Sequence, residues 1–208
     1  MKAVALLSGG LDSTVAFAIR ARDTVLALTI DYGQRAAKRE IAAARAIAKR
    51  HRVPHRVLAL PWLAGGALTD RSRRLPSPDL RRATETKASA AAVWVPNRNG
   101  AFIAAAASIA ERLGASRIVV GFNREEAETY ADNSAAFLEA ANRALKYSTR
   151  NGVRVESPTL RWDKRRIVRE ATRRSIDLRR LWPCYEGGRA WCLECESCKR
   201  SLRAGVRP

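Results

Sequence analysis

Six consecutive residues near the N-terminus, Ser8-Gly9-Gly10-Leu11-Asp12-Ser13, have the composition of an anion cradle. Glycines carry no Cβ, so backbone N–H groups there can close on a phosphate. Ser8 and Ser13 add hydroxyl donors. Asp12 cannot bind a phosphate directly, because like charges repel, but it can hold a divalent cation that bridges to one. A plainer use of Asp12 or Ser13 is as the N-cap of a following helix. The loop lacks the Gly-Lys-Ser/Thr ending of a Walker motif, which argues against cleavage at a γ-phosphate.

A second set lies at the other end of the chain. Cys184, Cys192, Cys195 and Cys198 are the only cysteines, spaced C-x₇-C-x₂-C-x₂-C. Four thiolates at short spacings suit a closed tetrahedral Zn²⁺ site. Two disulfides, an iron–sulfur cluster or a redox pair would use the same residues. A closed zinc site leaves no open coordination position, so its role would be folding. A third set, Glu125, Glu126 and Glu128, is an acidic cluster in a basic chain. It could accept from the N–H edge of a purine-like base, hold Mg²⁺, or complement a helix N-terminus.

The elements that must position these residues are readable. Val4–Leu7 is a short apolar run feeding the glycine loop, and helical periodicity follows over Thr14–Arg22. Thr24–Asp31 and Arg56–Leu60 are further strands, with an Ala-rich helix over Lys38–Arg50 between them. Gly100–Leu113 is a helix of small residues closed by Gly114. Arg117–Gly121 and Val153–Ser157 are strands. Asn133–Tyr147 is a helix capped by Asn133 or Asp132, and Asp163 caps a basic helix to Arg174. Residues 61–96, with several Pro and Gly, read as a long irregular flap beside the site. Strands alternating with helices imply an α/β fold with a doubly wound parallel sheet, whose ligand sits at the carboxyl ends of the strands. The division is residues 1–181 for this nucleotide-binding unit and 182–208 for a small cysteine-bearing tail.

The formal net charge of +19 invites a nucleic-acid reading. Only 7 of the 39 basic residues are Lys, however, and the chain is rich in Ala. Arg and Ala together read as the composition of a GC-rich genome, and the basic residues form no single stripe. A nucleic-acid partner is therefore not expected. No apolar run is long enough to span a membrane, and the N-terminal apolar run is too short for a signal segment, so a cytoplasmic protein is expected.

With these residues in view, the loop resembles the signature of the PP-loop ATP pyrophosphatases. That superfamily cleaves ATP between the α- and β-phosphates and adenylates a substrate. Its occurrence together with a C-terminal four-cysteine tail is similar to the 7-cyano-7-deazaguanine synthase family. Asp31-Tyr32-Gly33-Gln34-Arg35, Ala67-Leu68-Thr69-Asp70, Val95-Pro96-Asn97-Arg98-Asn99, Ser157-Pro158 and the stretch Trp182–Gly187 agree with that family's motifs. The chain departs from the pattern at Ala36, where the family usually has His, and over residues 121–134, where only Asp132 is kept cleanly.

The resemblance implies ATP-dependent conversion of 7-carboxy-7-deazaguanine and ammonia to the nitrile, with ATP, Mg²⁺ and Zn²⁺ bound and a homodimeric assembly. It implies an ATP site at Leu7, Ser8, Gly9, Gly10, Leu11, Asp12, Ser13, Thr14, Val15, Ala16 and Phe17. Asp12 and Ser13 would act on the phosphates, and Arg98 and Lys164 are candidate phosphate contacts. A different carboxylate, or a base in tRNA, stands as the alternative acceptor.

Overall fold

The computed structural model describes all 208 residues. The chain runs β1 (Ala3–Leu6), α1 (Leu11–Arg20), β2 (Thr24–Asp31), α2 (Ala37–Arg50), β3 (His55–Ala59), α3 (Gly66–Thr69), α4 (Ala83–Ala92), α5 (Arg98–Arg112), β4 (Arg117–Val119), α6 (Arg124–Ala127), α7 (Ala135–Ser148), β5 (Arg154–Glu156), α8 (Lys164–Arg173) and α9 (Glu196–Arg203). The five strands form one sheet in the order β3-β2-β1-β4-β5, and every pairing is parallel.

The two-residue period of a strand sorts the side chains. Val4, Leu28, Ile30, Ile118, Val120 and Val155 belong to the core on the face covered by α5 and α7. Ala3, Ala5, Leu7, Ala27 and Val119 belong to the core on the opposite face, with α1, α2 and α8. Helices on both faces make the sheet doubly wound, as the alternating pattern implies. Strand order reverses between β1 and β4, and the crevice at their carboxyl ends is where such sheets bind ligands.

Several boundaries differ from the sequence reading. Helix α1 starts at Leu11, so Asp12 and Ser13 lie in its first turn and neither caps it; Gly10 is the N-cap, with no side chain bonded there. Helix α7 is capped by Ser134, whose Oγ accepts from Phe137 N at 3.1 Å, and not by Asn133 or Asp132. Asp163 caps α8 as expected, accepting from Arg166 N at 2.7 Å. Residues 61–96 are not irregular throughout, because they contain α3 and α4. Helix α4 has no apolar stripe to announce it. Its buried positions are Ser89 and Ala90, and Ser89 is held by a polar bond described below.

The tail is built into the sheet's surroundings. Leu181, Cys184, Trp191, Cys195, Cys198 and Val206 pack in the same core as α1 and α8. Trp182 N donates to Gly9 O at 2.9 Å, so the tail begins against the glycine loop.

Candidate active site

The glycine loop leaves β1 and enters α1 at the switch point. Gly9 has φ +79, and a Cβ there would lie 2.7 Å from Ala43 Cβ and 2.9 Å from Glu40 O. The residue must therefore be glycine for the loop to lie against α2. Ser8 and Ser13 brace the turn: their hydroxyls are 2.9 Å apart, and Ser8 N donates to Ser13 Oγ at 3.2 Å. Because no side chain caps α1, its first-turn N–H groups are left for a ligand, and the positive end of the helix dipole favours an anion. Gly121, at the exit of β4, closes the other side. A Cβ there would sit 2.4 Å from Ser13 N.

Above the loop is a cavity of about 250 Å³ lined by Leu7, Ser8, Gly10, Asp12, Ser13, Thr29, Tyr32, Gln34, Glu40, Arg98, Phe102 and Tyr185, among others. Of the residues expected at a nucleotide site, Leu7, Ser8, Gly10, Asp12 and Ser13 reach this cavity. Leu11, Thr14, Val15, Ala16 and Phe17 are buried beneath it and support the loop from below. A smaller cavity of about 80 Å³ adjoins it, lined by Val93, Trp94, Glu126, Tyr130, Asp132 and Asn133. Leu68, Arg98 and Tyr185 line both cavities.

A chain of charge connects the two. The Lys164 ammonium is paired with the Asp12 carboxylate and lies 3.0 Å from Glu126 Oε1. Burial works against the Lys164 charge, but Asp12 and Glu126 outweigh it and hold its pKa above the ordinary value. Burial raises the Asp12 pKa, opposed by Lys164 and reinforced by Glu126. Burial would raise Glu126 as well, but Lys164 and Arg200 overcome it, and its pKa is lowered. Asp12 Oδ1 is buried and has no hydrogen-bond partner. A free carboxylate oxygen at the foot of a phosphate-type loop is the donor a hard divalent cation requires.

Arg98 sits at the junction of the cavities. Its Nη1 donates to Tyr32 OH at 3.4 Å, and no carboxylate lies within ion-pair distance of it. A largely enclosed guanidinium without a counter-ion is a built receptor for a carboxylate or phosphate. Glu40 was not singled out by sequence. It lies in the first turn of α2, where it resembles the other charged residues of a solvated helix. Its Oε2 accepts from Gln34 Nε2 at 2.8 Å, and burial pushes its pKa up to about 7 against the pull of that bond and of Arg98. Tyr185 was also missed as a lining residue, because its placement depends on how the tail folds back. Arg35 is a clamp: it donates to Ala67 O at 2.8 Å, to Asp70 O at 3.0 Å and to Glu186 Oε1 at 2.8 Å. That ties β2's exit to α3 and the tail.

The four cysteine Sγ atoms lie within 4.8 Å of one another, and none is in a disulfide. Cys184 Sγ is 3.5 Å from Cys192 Sγ, and Cys192 Sγ is 3.9 Å from Cys198 Sγ. Tetrahedral ligands about 2.3 Å from a zinc ion would be roughly 3.8 Å apart. Backbone N–H groups of Glu186 and Cys192 point at Cys184 Sγ, and that of Cys195 at Cys192 Sγ, each at 3.3 Å. Such bonds stabilise thiolates that bind metal. The donor set and its spacing fit zinc.

A parallel sheet with a phosphate-type loop at its switch point, facing a cavity that holds the Arg98 guanidinium, defines a nucleotide-binding α/β protein. The family model described as "Queuosine biosynthesis protein QueC" matches residues 2–206, and the chain belongs to that family. A relative from Desulforudis audaxviator named "7-cyano-7-deazaguanine synthase" is 48% identical over 98% of this chain and 96% of its own length. A protein of the same name from the archaeon Methanosarcina barkeri is 45% identical over 98% of this chain and 93% of its own. The family expected from the motifs is the one found, and the altered segment at 121–134 does not remove the chain from it.

Proposed function

We propose that this chain converts 7-carboxy-7-deazaguanine and ammonia into 7-cyano-7-deazaguanine at the expense of ATP, as a C–N bond-forming ligase. The observation that carries this reading is the pairing of an uncapped, glycine-built helix N-terminus with the unpaired Arg98 at the junction of two cavities. ATP lies in the larger cavity with its phosphates on Ser8–Ser13. The base lies across the junction, its ring N–H groups toward Glu126 and Asp132 and its carboxylate toward Arg98.

A carboxylate oxygen attacks the α-phosphorus, and the bond to pyrophosphate breaks. Ammonia attacks the resulting acyl carbon, loses a proton, and displaces AMP to give an amide. The amide oxygen takes a second adenylyl group in the same way. Loss of that AMP and of the remaining N–H protons leaves the nitrile.

This chain's residues act mainly by positioning and by neutralising charge. Ser13 and the first-turn N–H groups bind phosphate oxygens. Arg98 orients the attacking carboxylate. Lys164 joins Asp12 of the larger cavity to Glu126 of the smaller one and balances the charge of both carboxylates. Mg²⁺ would be held by Asp12 through its free Oδ1 and would neutralise charge on the phosphates. Cys184, Cys192, Cys195 and Cys198 would hold Zn²⁺ as a folding element for residues 182–208, beside the nucleotide-binding unit of 1–181. A homodimer and a cytoplasmic location are inferred on the family resemblance. No helix is long and apolar enough to cross a membrane.

The test is a product assay with Mg-ATP, ammonium and the carboxylate, followed by mass spectrometry. Nitrile with AMP supports the reading. AMP without change in the base would move the search to another carboxylate or to a tRNA base. No AMP from folded, zinc-loaded protein would refute it.

A further inference from the structure

Helix α9 carries a fully buried carboxylate, Glu196, that the reaction above does not use. It sits directly after Cys195 and two positions before Cys198. A buried carboxylate is costly unless its oxygens are bonded, and both of these are. Oε2 accepts from Ser89 Oγ at 2.6 Å and is 3.5 Å from Tyr130 OH. Oε1 accepts from Arg200 Nε at 2.9 Å, and Arg200 Nη2 reaches on to Thr129 Oγ1 at 3.1 Å.

These partners belong to two segments that otherwise share little sequence context. Ser89 is one turn before Val93 and Trp94, which wall the smaller cavity on one side. Thr129 and Tyr130 follow Glu126 and precede Asp132, which wall it on the other. A single carboxylate therefore fixes the separation of the two walls. Helix α9 has only eight residues, too few to persist alone in water. Its position is set by the cysteines that flank Glu196.

We propose that Glu196 is a positioning residue: with Arg200 it ties the four-cysteine element to both walls of the smaller cavity, so that the metal-held tail sets the shape of the acceptor chamber. This rests on the assignment of that chamber to the base, but the tie itself does not depend on which base binds.

The experiment uses full-length, zinc-loaded protein with the variants Ser89→Ala and Glu196→Gln. Ser89→Ala removes one hydroxyl and leaves the ion pair with Arg200 in place, so it folds even if the second variant does not. Amide hydrogen exchange is followed by mass spectrometry over residues 83–94 and 124–133, and KM is measured separately for ATP and for 7-carboxy-7-deazaguanine. Loss of one buried hydrogen bond predicts roughly tenfold faster exchange in both segments, with β1 and β2 unchanged. It also predicts a rise of roughly tenfold in KM for the base, with KM for ATP and bound zinc held. Unchanged exchange in both segments overturns the proposal, as does a proportional rise in both KM values. If the wild-type protein does not turn over this base, the functional reading fails, and the exchange measurement still decides the tie.

Discussion

Glu40 offers a quantitative check on the electrostatics of the larger cavity. Its carboxyl has an ordinary pKa of 4.5 and is pushed up to about 7, chiefly by burial. In the window between those values the folded protein keeps a proton that the unfolded chain releases, so stability falls as pH rises through it and levels off above about 7. The gap between 4.5 and about 7, at about 1.4 kcal/mol for each tenfold change in proton affinity, is about 3.5 kcal/mol at most. Glu40→Gln keeps an acceptor for Gln34 Nε2 and cannot ionise. The variant should match wild type near about pH 4 and exceed it by up to about 3.5 kcal/mol near about pH 8. For a chain of this size that corresponds to roughly 7–14 °C in Tm. Paired thermal or urea denaturation curves at the two pH values measure it. Parallel losses at both, or a variant weaker at the higher pH, would refute the view that Glu40 is held against its charge.

Other perturbations read other parts of the site. Lys164→Met keeps the buried stem but leaves Asp12 and Glu126 without their shared cation; nitrile formation should fall about 100-fold or more, with stability lowered by up to about 3 kcal/mol, measured by turnover and thermal melts. Gly121→Ala places a methyl 2.4 Å from Ser13 N; the loop must move, and a loss of about 1–3 kcal/mol together with a raised KM for ATP is expected. Removing the metal with a chelator should lower Tm and speed exchange in α4 and residues 124–133 before the strands respond, because Glu196 hangs from the cysteine cluster; simultaneous exchange everywhere would contradict that order.

What was legible in the sequence follows physical lines. Strand β2 is readable to the residue, because a short run dominated by Val25, Leu26, Ala27, Leu28 and Ile30 between Asp23 and Asp31 fits a buried strand of an α/β fold. The loop and the cysteines were legible because glycine, hydroxyl and thiol chemistry at fixed short spacing is local information. Helix α4 was not, since its buried face is Ser89 bonded to Glu196 across 107 positions; hydrophobic periodicity carries no trace of a buried polar contact. Lys164 could be named from the resemblance, but its pairing with Asp12, 152 positions away, and with Glu126 could not. Glu40 was hidden by its neighbours: among the lysines and arginines of α2, nothing local marks the one acid that faces inward. The acidic cluster divides in the same way. Glu126 joins Lys164 in the site, whereas Glu125 accepts from Lys164 N at 2.9 Å and pairs with Arg203 at 2.7 Å, holding α8 and the tail.

The proposed reaction requires the Ser8–Ser13 loop, with Arg98 and Lys164, to deliver an adenylyl group to a carboxylate. The most direct test labels both oxygens of the 7-carboxy group with ¹⁸O and follows the label after turnover with Mg-ATP and ammonium. Attack by the carboxylate, and then by the amide oxygen, on the α-phosphorus predicts that both labels leave in AMP and none in water or inorganic phosphate. Nitrile formed with label in phosphate, or with unlabelled AMP, would contradict the account.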